Sequence, residues 1–304
     1  MADGSPAPRR TLAQRLDTWE RLTRLDRPIG ILLLLWPTLT ALWIAARGAP
    51  PLSLVIVFTL GTVLTRSAGC AVNDWADRRY DASVKRTRGR PLVTGEMGGT
   101  EALALAAVLA LVAFGLTLFT NRATITLAVV ALVIAVAYPF FKRFFALPQA
   151  FLGIAFSFGI PMAFAATRGE VEWPGWPMLA INLLWVVAYD TEYAMVDRDD
   201  DLRIGMRTSA ITFGRFDVAA VGVCYAGYLA GMVWVGRLMA LGPAYFSGLG
   251  VAAACAVWHL WIIRGRDRDA CFRAFLHNHW LGFAVFAGTA ADYALRARAW
   301  PKLA

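Results

Sequence analysis

Long apolar stretches separated by short polar breaks run through most of the chain. With about 20 mostly apolar residues as the length of one membrane helix, nine segments stand out, at 28–46, 52–72, 100–119, 122–140, 148–167, 177–196, 217–236, 243–263 and 277–296. The breaks, such as Arg47-Gly48-Ala49-Pro50-Pro51 and Thr120-Asn121-Arg122, are turn-like and reverse the chain without room for a second folded domain. The pattern predicts an all-α polytopic membrane protein, with an N-terminal segment over 1–27 and a single nine-helix domain over 28–304.

Composition agrees. Of 304 residues, 58% are hydrophobic and 17% charged, too few charges for the surface of a soluble domain of this length. The excess of 30 Lys and Arg over 21 acids gives a formal charge of +9. These basic residues are scattered between apolar runs, which excludes a nucleic-acid footprint and makes them reporters of topology and of contact with anionic lipid or substrate. With the N-terminus inside, the inner segments carry 22 of the 30 and the outer ones seven, with Arg66 inside a span. The positive-inside rule therefore expects a cytoplasmic N-terminus and cytoplasmic long loops, with the C-terminus outside. The four cysteines lack metal or disulfide spacing. The first 27 residues are basic but contain Asp17, Glu20 and Asp26, and no short apolar core with a cleavage site follows. Neither a secretory signal nor a transit peptide is expected, and a bacterial cytoplasmic membrane is the expected location.

The acids change the picture from membrane protein to chemistry. Nine of the 21 fall in two places: Asp74, Asp77 and Asp81 after span 2, and Asp190, Glu192, Asp197, Asp199, Asp200 and Asp201 at the end of span 6. Both ends are cytoplasmic in the topology above. At about 100° per residue, Asn73, Asp77 and Asp81 share one broad helix face, and Asp190, Asp197 and Asp201 line up on another. Crowded carboxylates at a membrane surface are unfavourable unless a hard cation neutralises them, and Mg²⁺ characteristically shares carboxylates with substrate phosphates. Two facing rows of oxygen ligands thus suggest a diphosphate held through Mg²⁺. The pairs Asp77/Asp81 and Asp197/Asp201 are offset by 120 positions, a hint of internal duplication.

Basic residues complement the rows. Lys85, Arg86, Arg88 and Arg90 follow the first, Arg203 and Arg207 the second, and Tyr138 and Lys142 share a helix face near the inner end of span 4. Such cations suit phosphate oxygens, and Lys85, Arg88, Tyr138 and Lys142 are expected to bind the diphosphate-bearing substrate. Arg66 lies in an apolar run about two turns before Asn73 and on the same face, as expected of an intramembrane arginine turned to a polar cavity. His259, His277 and His279 are scattered from the acid rows and are read as structural or interfacial, with His277 and His279 marking the start of span 9. Most of the twelve tryptophans suit interface anchoring.

At these motifs the chain resembles the UbiA superfamily of intramembrane aromatic prenyltransferases. The carriers are Asn73-Asp74-x-x-Asp77-x-x-x-Asp81 and Asp197-x-x-x-Asp201. The flanking text resembles the branch that acts on 4-hydroxybenzoate in ubiquinone biosynthesis: Asp26-Arg27-Pro28-Ile29-Gly30 before LLLLWPT, Val84-Lys85-Arg86-Thr87, Tyr138-Pro139-x-x-Lys142-Arg143, and DTEYAMVDRDDD before Ile204-Gly205. The resemblance implies a nine-helix fold around a central cavity and Mg²⁺-dependent transfer of a polyprenyl group from polyprenyl diphosphate to 4-hydroxybenzoate within the lipid bilayer. It makes Asn73, Asp77 and Asp81 one metal motif and Asp197 and Asp201 the other, with Asp190 and Tyr193 in the same signature and Arg66 beside the aromatic acceptor. The proton acceptor stays open between a carboxylate such as Asp190 and released diphosphate. Two other readings are the same chemistry with another acceptor, such as homogentisate or dihydroxynaphthoate, and a cation-coupled transporter. The transporter is disfavoured because its ion site belongs near the bilayer midplane, whereas these acids sit at helix ends.

Overall fold

The computed structural model describes residues 10–141, 145 and 147–299, and regular structure among them is entirely helical. In chain order the helices are α1 (Leu12–Thr23), α2 (Ile29–Ala45), α3 (Leu52–Asp81), α4 (Pro91–Thr94), α5 (Gly99–Thr117), α6 (Arg122–Phe141), α7 (Pro148–Ser157), α8 (Gly159–Arg168), α9 (Gly175–Ile204), α10 (Ser209–Phe213), α11 (Asp217–Leu238), α12 (Pro243–Ile263) and α13 (Arg268–Ala299). Helix covers every segment expected from the apolar pattern. Five stretches, Leu52–Asp81, Gly99–Thr117, Pro148–Arg168, Ser209–Leu238 and Pro243–Ile263, are long and apolar enough to cross a bilayer. Side chains such as Leu111, Val133, Val223 and Trp261 are exposed on their outer faces, as lipid-facing positions are.

Three departures from the expected segments have local causes. α3 and α9 are each 30 residues long and run on past their apolar parts, so the acids extend the helices and do not sit in loops. The segment at 148–167 is two helices meeting at Phe158. Pro161 has no N–H to give the Ser157 carbonyl four residues back, and Asn182 of α9 donates to the Ser157 hydroxyl at 2.8 Å beside the break. α13 starts at Arg268, well before His277, with the Asp267 carboxylate accepting from the Ala270 N–H at 2.8 Å; His277 and His279 therefore lie inside the helix.

α9 is the central post. Trp185, fully buried, stacks on Tyr228 of α11 at 5.6 Å and meets Tyr189 edge-on at 5.4 Å. A buried polar network ties α9 to α11, α12 and α13. Glu192, fully buried, accepts from the Tyr225 hydroxyl at 2.8 Å and from the Asn278 amide at 2.7 Å. The Tyr225 oxygen also lies 3.0 Å from His259 Nδ1, and Trp185 Nε1 donates to Asn278 Oδ1 at 2.9 Å. Glu192 thus belongs to a satisfied structural network, and His259 is part of it.

α1 begins with a capping box between Thr11 and Gln14. It docks on the start of α5 through Trp19 Nε1 and Arg10, which bond Glu101 at 3.0 and 2.8 Å, and on the preceding turn through an Arg21–Glu96 ion pair. Its hydrogen bond from Arg21 holds the Glu96 carboxyl below the ordinary carboxylate range. The helix ends at Arg24, whose φ of 62° is left-handed.

α12 and α13 cross with their backbones in contact. A Cβ on Gly248 would lie 2.5 Å from the Ala284 carbonyl oxygen and 3.0 Å from Gly288 Cα, so two backbones meet where no side chain fits, the usual device for close packing in lipid. Gly248→Val has backbone and not a flexible side chain to displace. It should cost about 1–3 kcal/mol, read as a lower melting temperature of the protein in detergent; an unchanged melting temperature would refute this account of the crossing.

Candidate active site

A cavity of about 630 Å³ runs between α2, α3, α5 to α8 and α9. One end is polar: Asn73, Asp77 and Asp81 of α3 line it opposite Asp190, Asp197 and Asp201 of α9, with Arg66 and Tyr193 on the same walls. The rest is apolar, with Ala106, Ala110 and Ala113 of α5 and Ala128, Ala131 and Ala135 of α6 leaving room between the helices. The helical phase explains the convergence. Asn73, Asp77 and Asp81 recur every fourth residue, as do Asp197 and Asp201, so each set stays on one face.

The acids are held out of water. Asp74, Asp77, Asp81, Asp197 and Asp201 are each less than a tenth exposed. Arginines from the turn between α3 and α4 meet them. Arg86 donates two bonds to Asp197 Oδ2, from Nε at 2.9 Å and Nη2 at 2.5 Å. Arg90 Nη1 donates to Asp81 Oδ2 at 2.6 Å and lies 2.9 Å from Asp74 Oδ1. Arg24, at the end of α1, donates to Asp74 Oδ2 at 2.7 Å. The turn itself is pinned to α3 and α9: the Thr87 hydroxyl donates to the Asp81 carbonyl at 2.8 Å, and the Lys85 N–H to Asp200 Oδ2 at 3.3 Å. One segment therefore bridges the two acid rows.

Lys85 and Arg88, expected to bind substrate, do not line the cavity; both are exposed, and Lys85 contributes through its backbone. The physical reason is phase. The segment is a run of tight turns, with N–H groups of Thr87 and Arg88 on the Val84 carbonyl and that of Arg90 on Thr87, so residues four apart, Arg86 and Arg90, share the inward side. Lys142 and the side chain of Tyr138 lie outside the described residues.

Tyr193 is stacked on Phe275 with ring centroids 4.3 Å apart and carries the Arg86 guanidinium 4.4 Å over its ring, an arrangement that fixes the direction of the arginine. Arg66 sits 5.2 Å over the Phe156 ring. A Cβ on Gly30 would fall 2.5 Å from its Nε and 2.8 Å from Nη2, so the glycine of the Pro28-Ile29-Gly30 motif is the space that the guanidinium occupies.

The donors facing the cavity between the rows are carboxylate and amide oxygens, the chemistry of a hard divalent cation. Among the described residues, no three His, Cys, Asp or Glu side chains are close enough to form a complete cage. Mg²⁺ is commonly bound by one or two carboxylates, with water and substrate phosphate filling the remaining positions.

Sequence reasoning missed Arg24 and Asp74 as an anchor, and it named Arg86 and Arg90 among the cations after the first row without separating them from Lys85 and Arg88. The signal for the pair was their spacing of four, the same as that of the acids. Arg24 carries no such signal, because its contact depends on how α1 folds back.

The chain matches the model of the UbiA prenyltransferase family over residues 34–282. It is 63% identical over 285 residues to a protein of Cupriavidus necator named 4-hydroxybenzoate octaprenyltransferase, covering 94% of this chain and all of that one. Among solved structures, the apo UbiA homologue of Aeropyrum pernix K1 superposes with a TM-score of 0.75 at 26% identity, over 86% of this chain and 97% of that one. A UbiA homologue from Archaeoglobus fulgidus bound to GPP and Mg²⁺ gives 0.67 at 17% identity, over 88% and 99%.

Removing Arg90 strands Asp74 and Asp81. Arg90→Ala should destabilise the protein by about 3 kcal/mol, and Asp74→Asn should recover part of that loss in the double variant, read by thermal melting. Strict additivity of the two changes would show that Arg90 and Asp74 do not act as a pair.

Proposed function

The chain belongs to the UbiA prenyltransferase family, and we propose that within it the protein transfers a polyprenyl group from polyprenyl diphosphate to the carbon ortho to the hydroxyl (C3) of 4-hydroxybenzoate, releasing diphosphate, as a membrane step of ubiquinone biosynthesis. The observation that carries this reading is one cavity with two carboxylate rows at one end and an alanine-lined apolar length beyond them. Diphosphate suits the first part and an isoprenoid tail the second. The identity of the acceptor rests on the printed name of a relative matched along its whole length.

The wider setting is part of the proposal. Residues 28–304 form one domain of nine membrane helices, and residues 1–27 form a cytoplasmic segment whose helix α1 braces the site. The acid rows face the cytoplasm from a bacterial inner membrane, a sidedness that the distribution of Lys and Arg supports.

The roles follow from the geometry. Asn73, Asp77 and Asp81 on one wall, and Asp197 and Asp201 on the other, would hold Mg²⁺, which when bound neutralises the charge developing on the departing diphosphate. Arg86 and Arg90, already at these carboxylates, stand within reach of the phosphate oxygens, and Tyr193 keeps Arg86 aimed. The resemblance of their Tyr-x-x-x-Lys spacing makes Tyr138 and Lys142 further candidates for binding the diphosphate. As the allylic C–O bond ionises, the electron-rich ring attacks the carbocation, and loss of the ring proton restores aromaticity. Burial of the site protects that cation from water. Arg66, seated in the space left by Gly30, pairs with the carboxylate of the acceptor. Asp190 lies two turns deeper than Asp197, on the acceptor side of the site.

The test is product formation by purified protein with a polyprenyl diphosphate, Mg²⁺ and 4-hydroxybenzoate. Wild type should make 3-polyprenyl-4-hydroxybenzoate, and Asp77→Ala and Asp197→Ala should make none. Arg66→Ala should raise the KM of the acceptor by about tenfold or more, the value of a charged hydrogen bond, with little change for the diphosphate. Gly30→Val should do the same by displacing the guanidinium. Turnover of a different aromatic acid but not this one would move the protein to another branch of the family.

A further inference from the structure

Two arginines of the turn after α3 meet the acid rows, and they are held differently. Arg90 Nη1 lies 2.6 Å from Asp81 Oδ2 and 2.9 Å from Asp74 Oδ1, and its side chain is 14% exposed. Letting go would strand two buried carboxylates, which makes Arg90 a fixture of α3. Arg86 is committed to one carboxylate, Asp197, whose Oδ2 and Oδ1 lie 2.9 and 3.2 Å from its Nε. Its side chain is 28% exposed, twice as open as that of Arg90.

The surroundings let the Arg86 side chain move while its backbone stays. The residues on either side are pinned separately, Lys85 through its N–H to Asp200 Oδ2 and Thr87 through its hydroxyl to the Asp81 carbonyl. The guanidinium rests 4.4 Å over the Tyr193 ring, which is itself backed by Phe275. A ring face attracts a cation across its area and not at a single point, so this support survives a small swing. A phosphate oxygen can then take the N–H groups that a carboxylate oxygen held, since both receive charged hydrogen bonds from a guanidinium.

Asp197 is also a member of the second metal motif. A divalent cation at that carboxylate would meet a guanidinium already placed on both oxygens, and two positive groups sharing one carboxylate repel each other. We propose that Arg86 competes with Mg²⁺ for Asp197 and gives it up only when a diphosphate is present to receive the guanidinium. The inference rests on the prenyl-transfer reading above. Arg86 is then a gate on metal loading: metal and diphosphate bind well together and poorly apart, and each raises the affinity of the other by the same factor. No covalent bond changes in this step; Arg86 exchanges one anionic partner for another.

The test is the affinity for Mn²⁺, read by electron paramagnetic resonance, in wild type, Arg86→Gln, Arg86→Lys and Arg88→Gln, each without and with a non-hydrolysable allylic thiodiphosphate. With the competitor removed, Arg86→Gln alone should bind Mn²⁺ about fivefold more tightly than wild type, the low end of ordinary coupling between sites. The further tightening by thiodiphosphate should shrink by at least that factor. A merely structural arginine would give the opposite sign, because its loss would loosen the row that holds the metal. Arg88→Gln removes the same charge two positions away, from a side chain that does not line the cavity, and should match wild type within about twofold because exposed charges are screened. Arg86→Lys replaces the guanidinium grip by a single point of contact. It should fall between wild type and Arg86→Gln, and it decides the question if the glutamine variant does not fold. Mn²⁺ binding no tighter than wild type in the Arg86 variants overturns the proposal, and so does equal tightening in Arg88→Gln, which would make net charge the cause. Absence of Mn²⁺ binding by wild type with the thiodiphosphate overturns the metal–diphosphate reading itself and this inference with it.

Discussion

Five carboxylates crowded at one end of a largely apolar cavity repel one another unless cations offset them, and the rest of the site is arranged around that constraint. Asp74, Asp77, Asp81, Asp197 and Asp201 are nearly out of water, where like charges repel strongly and an unpaired one is costly. The protein supplies part of the neutralisation itself. Arg86 crosses to Asp197 on α9, Arg90 bridges Asp74 and Asp81 on α3, and Arg24 reaches Asp74 from α1. The segment between α3 and α4 is thereby a tie across the two rows as well as a source of cations. In the proposed reaction a divalent cation and a diphosphate would join these charges at the same end of the cavity.

Everything distant from the rows serves their alignment. α3 and α9 extend to 30 residues, so the acids ride on rigid helix and not on loops. The lower part of α9 is locked by Trp185, Glu192, Tyr225 and Asn278, whose hydrogen bonds are satisfied internally, and this fixes the rotation that points Asp197 and Asp201 into the cavity. The alanines of α5 and α6 have the opposite job, leaving space for an extended apolar ligand beside a polar head group. The cavity is thus divided along its length: charged side chains at one end and apolar volume beyond.

Much of this was legible in the sequence, and the reason is periodicity. Apolar runs of bilayer length located the helices, and the spacing of Asn73, Asp77 and Asp81 and of Asp197 and Asp201 put each set on one face. Arg66 was legible because an arginine in an apolar run needs a cavity. What was illegible depends on contacts between segments distant in the chain. The fold of α1 brings Arg24 to Asp74 across 50 positions. The turn geometry after α3 selects Arg86 and Arg90 over Lys85 and Arg88, which a charge count cannot distinguish. Glu192 reads as one more member of an acid cluster, yet the helix phase turns it away from Asp197 and into a network with α11 and α13. The break at Phe158 was hidden because its two halves together have the length and hydropathy of one span.

The account depends on incomplete metal sites that the substrate finishes. Electron paramagnetic resonance of Mn²⁺ titrated into the purified protein, with and without a non-hydrolysable allylic thiodiphosphate, tests this directly. Weak Mn²⁺ binding alone and much tighter binding with the thiodiphosphate, lost in Asp77→Ala and Asp197→Ala, is the predicted result. Equally tight Mn²⁺ binding in the absence of the diphosphate would contradict it, because the carboxylate rows would then form a complete site on their own.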